Sequence, residues 1–216
     1  DLTRIVRFAP TVSELVGRGA SVVVMSHLGR PDGLANPTLS LAPVAKALAA
    51  ELGVEVRFVP DCVGPVAEAV TRSLPPGSVA MLENLRFHRG EEKDDRSFAL
   101  MLSVNGDIYV NDAFSCSHRA HASTHGIVPL MPSFAGPSLL AEVAALSRAL
   151  DAPERPSMAL VGGAKVSTKI DILRHIVGKV DRLVIGGGMA NTFLAALGSK
   201  VGKSLHEPDA IGVARR

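Results

Sequence analysis

The sequence predicts an α/β protein built on parallel sheets, with helices on both faces of each sheet. Short β-branched apolar runs alternate along the chain with segments of helical apolar spacing, as is typical of repeated strand–helix–strand units. Hydrophobic residues make up 47% of the 216 residues, which is enough for a sizeable core. Basic side chains follow three of the strand-like runs, at the sheet edge where such proteins usually bind ligands.

The first part of the chain contains four of these strand-like runs. A short helix from about Thr11 to Gly17 or Gly19 precedes them. Ser40 is a suitable N-cap and Gly53 a suitable C-terminal stop for a helix over 41–52, and Pro43 is tolerated in its first turn. The remaining predicted elements are strands over 21–26, 54–59, 78–82 and 107–110, and helices near 66–74 and 97–104.

A stretch with several prolines, 129–137, interrupts this pattern and indicates a domain boundary. The elements predicted after it are a helix over 139–150, a linker over 151–156, strands over 158–161 and 182–185, and helices over 166–177 and about 189–197. We therefore expect a first domain over 1–136, a hinge helix and linker over 137–156, and the start of a second domain over 157–216. Both domains are expected to have doubly wound, Rossmann-like sheets, the second of them incomplete.

Composition argues against several classes of protein. The net charge is only +2, aromatic residues make up 4% and tryptophan is absent, so we expect no nucleic-acid partner. Cys62 and Cys116 lie far apart without metal-ligand spacing, so neither a zinc site nor a disulfide framework is expected. No apolar run approaches the roughly 18 residues of a membrane span, and no signal-peptide pattern is present, so we expect no membrane partner and a cytoplasmic protein. The charge run 91–95 is interpreted as a solvated loop.

The basic residues near the strand ends indicate a site for a small polyanion. They are His27 and Arg30 after the first strand, Arg86 after the third, and His118, Arg119 and His121 beyond the fourth. Guanidinium groups form forked contacts with phosphate and carboxylate, and the ends of parallel strands meet at one edge. A lone arginine there could instead form a surface ion pair worth about 0–1 kcal/mol, and His118 could cap or pack. We expect Glu83 and Asn84 to orient the Arg86 loop and Asp112 to hold loop geometry by accepting backbone hydrogen bonds.

Glycines follow both strands of the second domain. Gly162, Gly163 and Ala164 lead from the first strand to Lys165 and Lys169, which the predicted helix would place on one face. Gly186, Gly187 and Gly188 follow the next strand. Glycine lets a backbone approach a phosphate closely, and a helix N-terminus presents free N–H groups, so the two turns favour a nucleotide phosphate site. Tight strand–helix turns also use glycine for steric reasons alone. The segment 198–204 resembles a P-loop, but a helix precedes it, and no Gly-x-Gly-x-x-Gly is present.

An arginine and histidine cluster on one domain and a lysine and glycine site on the next indicate a hinged enzyme with two substrates. Phosphoryl transfer fits this arrangement, because its transition state spreads negative charge that fixed cations can stabilise. Two other hypotheses stay open: a non-catalytic anion-binding protein, and a nicotinamide-dependent dehydrogenase that lacks its usual fingerprint. Binding of a second, nucleotide ligand would separate the kinase from the simple binder.

Several motifs together resemble the phosphoglycerate kinase family, in its order and at similar spacing. They are SHLGRP (26–31), LENLRFHRGEE (82–92), VNDAF (110–114), HRAHAST (118–124), GGAKV (162–166) and GGGM (186–189). The resemblance implies reversible phosphoryl transfer from 1,3-bisphosphoglycerate to ADP in glycolysis, giving 3-phosphoglycerate and ATP, with Mg²⁺ accompanying the nucleotide and a carboxyl group as acceptor in the reverse direction. It also implies a monomer.

The resemblance assigns roles to individual residues. Arg4 is similar to the arginine that binds the substrate and steadies the phosphoryl group, and Lys165 to the lysine that follows that group during transfer. The implied phosphoglycerate ligands are Arg4, His27, Arg30, Arg86, His118, Arg119 and His121. The implied nucleotide contacts are Gly163, Ala164, Lys165, Lys169, Gly186, Gly187 and Gly188.

Two family segments have no counterpart in this sequence: an Asp-Phe-Asn segment that supplies substrate ligands, and a Gly-Gly-Asp segment whose aspartate contacts the Mg²⁺. No metal ligand is therefore predicted within the chain. We expect the chain alone to have little or no kinase turnover, which an ADP phosphorylation assay would measure.

Overall fold

A computed structural model describes residues 2–151 and 153–216. Asp1, at the start of the chain, and Ala152, within the predicted linker, lie outside the described residues. The chain divides into two units, Asp1–Val143 and Ala144–Arg216, and the boundary falls within a helix over 137–150. The predicted functional domains, 1–136 and 157–216, remain a prediction.

The first unit contains short parallel strands and helices in alternation. Its strands are β1 (Val22–Val24), β2 (Val56–Val59), β3 (Val79–Leu82), β4 (Tyr109–Asn111) and β5 (Ser133–Ala135). Its helices are α1 (Thr3–Gly17), α2 (Ala42–Leu52), α3 (Gly64–Arg72), α4 (Arg89–Glu92) and α5 (Arg96–Ser103), followed by α6 (Pro137–Leu150), which crosses the unit boundary. Three strands form a parallel sheet in the order β1-β3-β2, and β4 pairs with β5, also in parallel.

The central strand β3 separates two apolar layers. All four of its residues are buried, because β1 and β2 cover its edges and helices cover both faces. Val79 and Met81 pack into a cluster with residues of α1 and α2, whereas Ala80 and Leu82 pack into a cluster with residues of α3 and α5. Because successive side chains of a strand point to opposite faces, this pattern is that of a sheet wound on both sides. The predicted α/β class is confirmed.

Helix α1 starts much earlier than the sequence analysis expected. It begins at Thr3 rather than near Thr11, and it carries Pro10 in its interior. Its core-facing residues, among them Ala9 and Val12, follow the helical period, and Val12 is fully buried. Pro10 is exposed on the opposite side, where apolar packing of the other face offsets the lost backbone hydrogen bond. Arg4 therefore lies in the first turn of a helix.

The prediction that residues 91–95 form a solvated loop is wrong for the first two of them, whereas 93–95 lie outside helices, with Lys93 and Asp95 exposed. Glu91 and Glu92 end the short helix α4, and Asp95 caps α5 by accepting a 2.8 Å hydrogen bond from Phe98 N. Glu91 is only 1% exposed. It can be buried because Ser123, which lies 32 residues further along the chain, donates two hydrogen bonds to its carboxylate.

The second unit is built on two parallel strands, β6 (Met158–Gly162) and β7 (Arg182–Gly186). Its helices are α7 (Ile170–Val177), α8 (Gly187–Ala196) and α9 (Ile211–Ala214). Val166, Leu173 and Met189 form its buried centre. Two side chains of β6, Met158 and Leu160, are 66% and 73% exposed. Within the described part of the chain, no helix is both long and apolar enough to span a membrane.

Candidate functional site

The segments that follow β1 and β3 are tied together by Asn84 and Glu83. Asn84 is fully buried; its amide nitrogen donates to the carbonyl oxygens of Leu28, at 2.8 Å, and Leu39, at 2.9 Å, and its side-chain oxygen accepts from Arg86 N. The Glu83 carboxylate accepts from Ser40 Oγ and from the backbone N–H of Leu41 and of Asn84. The expectation that both residues orient the Arg86 loop is confirmed.

Arg86 is held in a buried position at the end of β3. Its side chain donates from Nη1 to the carbonyl oxygen of Gly29 at 2.8 Å, and its Nε lies 3.2 Å from the Glu92 carboxylate. Arg86 is only 6% exposed, and its Nε forms no hydrogen bond with the described residues. A guanidinium has five N–H donors in a rigid fork, so the donors that remain can bind an anion.

The electrostatics of His27 show which basic groups come together. Burial lowers the pKa of His27, and the positive charge of Arg86, then of Arg119, and the neighbouring His121 lower it further, to about 4. These groups therefore act on one imidazole, although they follow three different strands. We call His27, Arg86, Arg119 and His121 the basic cluster. Its charge and position suit a small anion carrying phosphate or carboxylate groups.

The other predicted members of this site lie at the surface. Arg4, Arg30 and His118 are exposed, and none of the described hydrogen bonds or ion pairs ties them to the basic cluster. Arg4 projects from the first turn of α1, and Arg30 follows Gly29, whose carbonyl oxygen binds Arg86. Their roles as ligands remain a prediction.

The segment after β4 is anchored by Asp112. This carboxylate accepts from Ser138 N at 2.6 Å, from Leu139 N at 3.2 Å and from the hydroxyl groups of Ser138 and Thr11. It thereby ties the end of β4 to α1 and to the first turn of α6. The expectation that Asp112 accepts backbone hydrogen bonds to hold loop geometry is confirmed.

In the second unit, the two glycine turns touch backbone to backbone. Strands β6 and β7 end at the same register position, where Gly162 pairs with Gly186. Just beyond it, Met189 N donates to Gly163 O at 2.9 Å. Gly187 has a φ of +68°, and a Cβ there would lie 2.9 Å from Gly163 O. Only glycine combines this backbone conformation with so close an approach. The first turn of α8 begins at this point, with its N–H groups directed away from the helix.

The expectation that Lys165 and Lys169 share one helix face is wrong. Helix α7 begins only at Ile170, Lys169 is its N-cap, and Lys165 lies in the turn before it. The helix starts late because the Lys169 backbone, with φ −129° and ψ 0°, is not helical. Ser167, in the turn before it, donates from its backbone and its hydroxyl to Glu207 and thereby lowers the pKa of that carboxyl. The Lys169 side chain nevertheless lies over the glycine turn: its Cε would be 3.4 Å from a Cβ on Gly163. Lys165 is exposed.

Asp61, Cys62 and His88, none of them in the basic cluster, form a group of potential metal ligands. Asp61 Oδ1 already accepts from Cys62 N at 2.7 Å and lies 2.8 Å from His88 Nε2, and the His88 ring stacks on Phe98. Burial, followed by the Asp61 charge, raises the pKa of the Cys62 thiol, which disfavours the thiolate that binds metals. These contacts explain the group without an ion.

Sequence reasoning missed the contribution of Glu91, which binds Ser123 two residues after His121. The local pattern carries no signal for it, because glutamates in a run of charged residues are usually solvated. Its buried partner is distant in sequence, so only the fold brings the two side chains together.

Known proteins resemble the chain over its whole length. A family model described as phosphoglycerate kinase matches residues 1–216. A phosphoglycerate kinase of Rhizorhabdus wittichii is 59% identical over 209 residues, covering 97% of this chain and 53% of that relative. One of Rhodospirillum centenum is 58% identical over 215 residues, covering 100% of this chain and 54% of that relative. The chain thus spans about half the length of the curated relatives it matches.

Solved structures agree with these relatives. A structure of phosphoglycerate kinase from Coxiella burnetii superposes with a TM-score of 0.86 at 42% identity, covering 100% of this chain and 54% of that one. A crystal structure of the Pyrococcus horikoshii phosphoglycerate kinase gives 0.79 at 30% identity, covering 93% of this chain and 51% of the other. On the family model, the sequence identities and the shared fold, this chain belongs to the phosphoglycerate kinase family.

Proposed function

We propose that this chain contributes to reversible, in-line phosphoryl transfer from 1,3-bisphosphoglycerate to ADP, giving 3-phosphoglycerate and Mg·ATP. In the reverse direction the acceptor is the carboxyl group of 3-phosphoglycerate. The reaction belongs to glycolysis, and the proposed location is the cytoplasm. The observation that supports this proposal most is the basic cluster, in which four side chains from three strand ends act on one small region.

The chemistry of 3-phosphoglycerate matches the basic cluster. The ligand carries a phosphate and a carboxylate, and the paired N–H donors of a guanidinium group bind both groups well. Arg86 is fixed by Gly29 O and by Glu92, so little conformational entropy is lost when it binds an anion. His27 is neutral near pH 7, and its ring can therefore donate from one nitrogen and accept at the other. Arg4, Arg30 and His118 are the further proposed ligands.

The glycine turns of the second unit are the proposed nucleotide site. The turns Gly162–Ala164 and Gly186–Gly188 pack against each other, but a Cβ on Gly162 or Gly186 would meet no atom within 4 Å, and Lys165 and Lys169 supply positive charge beside them. Glu207, a carboxylate near these lysines, is occupied by both donors of Ser167. This donor set suits phosphate oxygens rather than a metal ion, so Mg²⁺ is proposed to enter as part of the substrate Mg·ADP.

Catalysis in this proposal is mainly positioning and electrostatic stabilisation. Negative charge spreads over the transferred group in the transition state, and fixed positive groups stabilise it without a covalent intermediate. Arg4 and Lys165 are the residues proposed to touch the moving group. We further propose that 1–136 is the phosphoglycerate domain, 157–216 the start of the nucleotide domain and 137–156 their connection, in a monomer.

Isothermal titration calorimetry of the chain with 3-phosphoglycerate tests this proposal. We expect binding at low salt, and an affinity about tenfold lower or worse for Arg86→Lys, because an ammonium group cannot reproduce the forked contact. Arg57→Lys, an exposed change on β2, is the matched control and is expected to bind as the parent chain does.

A second titration with Mg·ADP separates a kinase from a simple anion binder. The proposal predicts heat of binding with both ligands. A chain that takes up 3-phosphoglycerate alone would support the non-catalytic binder, and a chain that takes up neither ligand would overturn the proposal.

A further inference from the structure

We propose that Glu91 is a positioning residue of the anion site: it holds the segment that carries Arg119 and His121 in its binding position. This inference rests on the proposed function, because the anion concerned is 3-phosphoglycerate. It assigns a role to Glu91, which the roles proposed above do not involve.

Both carboxylate oxygens of Glu91 accept hydrogen bonds from Ser123, which lies two residues after His121. Ser123 N donates to Oε2 at 3.0 Å, and Ser123 Oγ donates to Oε1 at 2.6 Å. The same Oε1 lies 3.8 Å from His121 Nδ1. Two hydrogen bonds from one residue to one carboxylate fix both the distance and the orientation of the Ser123 backbone. His121 is only two residues away, so its ring position depends on this contact.

The burial of Glu91 makes this contact obligatory. A carboxylate that is 1% exposed has lost its water, and only its hydrogen bonds and nearby positive charge replace that water. Burial raises the pKa of Glu91, whereas the two Ser123 bonds and the charges of His121 and Arg86 act in the opposite direction. Any movement of the 119–123 segment would leave this carboxylate unpartnered. The segment is therefore held in place more firmly than a surface loop would be.

Glu92, next to Glu91, holds another member of the basic cluster, Arg86. Glu92 lies 3.2 Å from Arg86 Nε, at the end of β3. Consecutive carboxylates at the end of α4 thus hold the segment after β3 and the segment after β4 at the same place. Further along, Asp94 contacts His125, at the end of the same segment. Helix α4 therefore contacts both Arg86 and the segment that follows Arg119 and His121.

A set of four chains tests the inference: Glu91→Gln, Ser123→Ala, the double variant, and the exposed control Glu55→Gln. Glutamine has the shape of glutamate, but it is neutral and keeps only one acceptor oxygen, so the two charge-assisted hydrogen bonds from Ser123 are lost. We expect an affinity for 3-phosphoglycerate about tenfold lower for each single variant. Both changes weaken the same contact, although Ser123→Ala leaves the backbone N–H bond to Oε2 in place, so we expect the double variant to bind no worse than the weaker-binding single variant.

Hydrogen exchange followed by mass spectrometry gives a readout that needs no ligand. Peptides covering 118–126 are expected to exchange at least about tenfold faster in Glu91→Gln, while peptides covering β1 and β3 stay as in the parent chain. A purely structural role would instead accelerate exchange throughout the first unit. The Glu55→Gln control is expected to match the parent chain in both measurements.

The outcomes separate the two proposals. If the parent chain does not bind 3-phosphoglycerate, the proposed function fails, and the inference fails with it. If the parent chain binds but Glu91→Gln binds equally well, the inference alone is overturned, as it is if exchange rises uniformly. Should Glu91→Gln not fold, Ser123→Ala, which removes a single hydroxyl, decides by the same two measurements.

Discussion

His27 illustrates how the basic cluster controls the protonation of its own members. The imidazole is half-buried, and Arg86 and Arg119 add positive charge around it. Protonation would place a further cation among cations in a poorly solvated position. The ring therefore stays neutral at pH values where an ordinary histidine would be partly charged.

We predict that His27 does not titrate between pH 5.5 and 8 and that low pH destabilises the chain through it. Its pKa is about 4 in the folded chain and about 6.5 when unfolded. The unfolded chain binds the proton first, so the free energy of unfolding falls as the pH falls from about 6.5 towards about 4. NMR of the imidazole protons, assigned with His27→Gln, measures the titration. A His27 resonance with a midpoint near pH 6.5 would contradict the prediction.

Single residues were predictable where their partners are close in sequence or follow a strand end. Asn84 and Glu83 bind the segments around them, as their place after β3 indicated, and Asp112 accepts from backbone N–H groups as expected. Glu91 was misread because its burial depends on Ser123, which no local pattern connects to it. The role of such a residue can be recognised only from the folded structure, because its partner is distant in sequence.

Among the secondary-structure elements, the two glycine turns depend on one close backbone contact. We predict that Gly187→Ala lowers the free energy of unfolding of the second unit by about 1–3 kcal/mol, because it places a Cβ at a positive φ against Gly163 O. Gly186→Ala is the matched control: its φ is −123° and a Cβ there meets no atom within 4 Å. Scanning calorimetry of both variants measures the difference, and equal stabilities would contradict the role of this contact.

The anchor at Asp112 joins three elements, and we expect its removal to loosen all of them. Asp112→Asn keeps one acceptor oxygen for the N–H groups of Ser138 and Leu139, but its amide nitrogen cannot accept from the hydroxyl groups of Ser138 and Thr11. The expected loss is about 1–3 kcal/mol in the free energy of unfolding. Denaturant titration measures it, with Asp107→Asn, an exposed change just before β4, as the control. A variant as stable as the parent chain would show that the anchor is dispensable.

The types of the predicted elements were correct, but β5 lies in a stretch that was predicted only to interrupt the pattern, and two helix starts were misplaced. A helix was predicted from about Thr11, yet α1 begins at Thr3 and runs through Pro10 because its core-facing side is well packed. The apolar pattern after Lys165 suggested one long helix, whereas the non-helical backbone of Lys169 delays its start to Ile170, and Ser167 in the preceding turn binds Glu207, 40 residues away. In both cases a tertiary contact overrides the local preference.

At the scale of the whole molecule, apolar side chains remain at the surface of the second unit. Leu160 is 73% exposed on β6, while Val161, next to it, packs against the buried centre. We predict that Leu160→Thr reduces self-association at high protein concentration without lowering the melting temperature, since threonine suits a strand as well as leucine does. Light scattering and thermal unfolding measure the two quantities. Val161→Thr is the contrasting control, and we expect it to lower the melting temperature.

The fold class and the meeting of basic residues were predictable from topology alone. The carboxyl ends of parallel strands lie at one edge of the sheet, so the sequence predicts that His27 and Arg86 lie close together. Spacing could not separate the members of the basic cluster from Arg30 and His118, because side-chain direction after a strand depends on the path of each loop. Asn84 sets that path for Arg86 by bonds to two distant carbonyl groups.

The order β1-β3-β2 also has a consequence for synthesis on the ribosome. Neither β1 nor β2 finds its partner in this sheet until Val79–Leu82 has been made, because both pair with β3 and not with each other. At typical translation rates of about 5–20 residues per second, synthesis of the 54 residues between the end of β1 and the start of β3 takes seconds, and during that time β1 has no strand partner in this sheet. The nascent chain must therefore keep these two apolar strands soluble, with helices α1 and α2 as the local structures available to shield them.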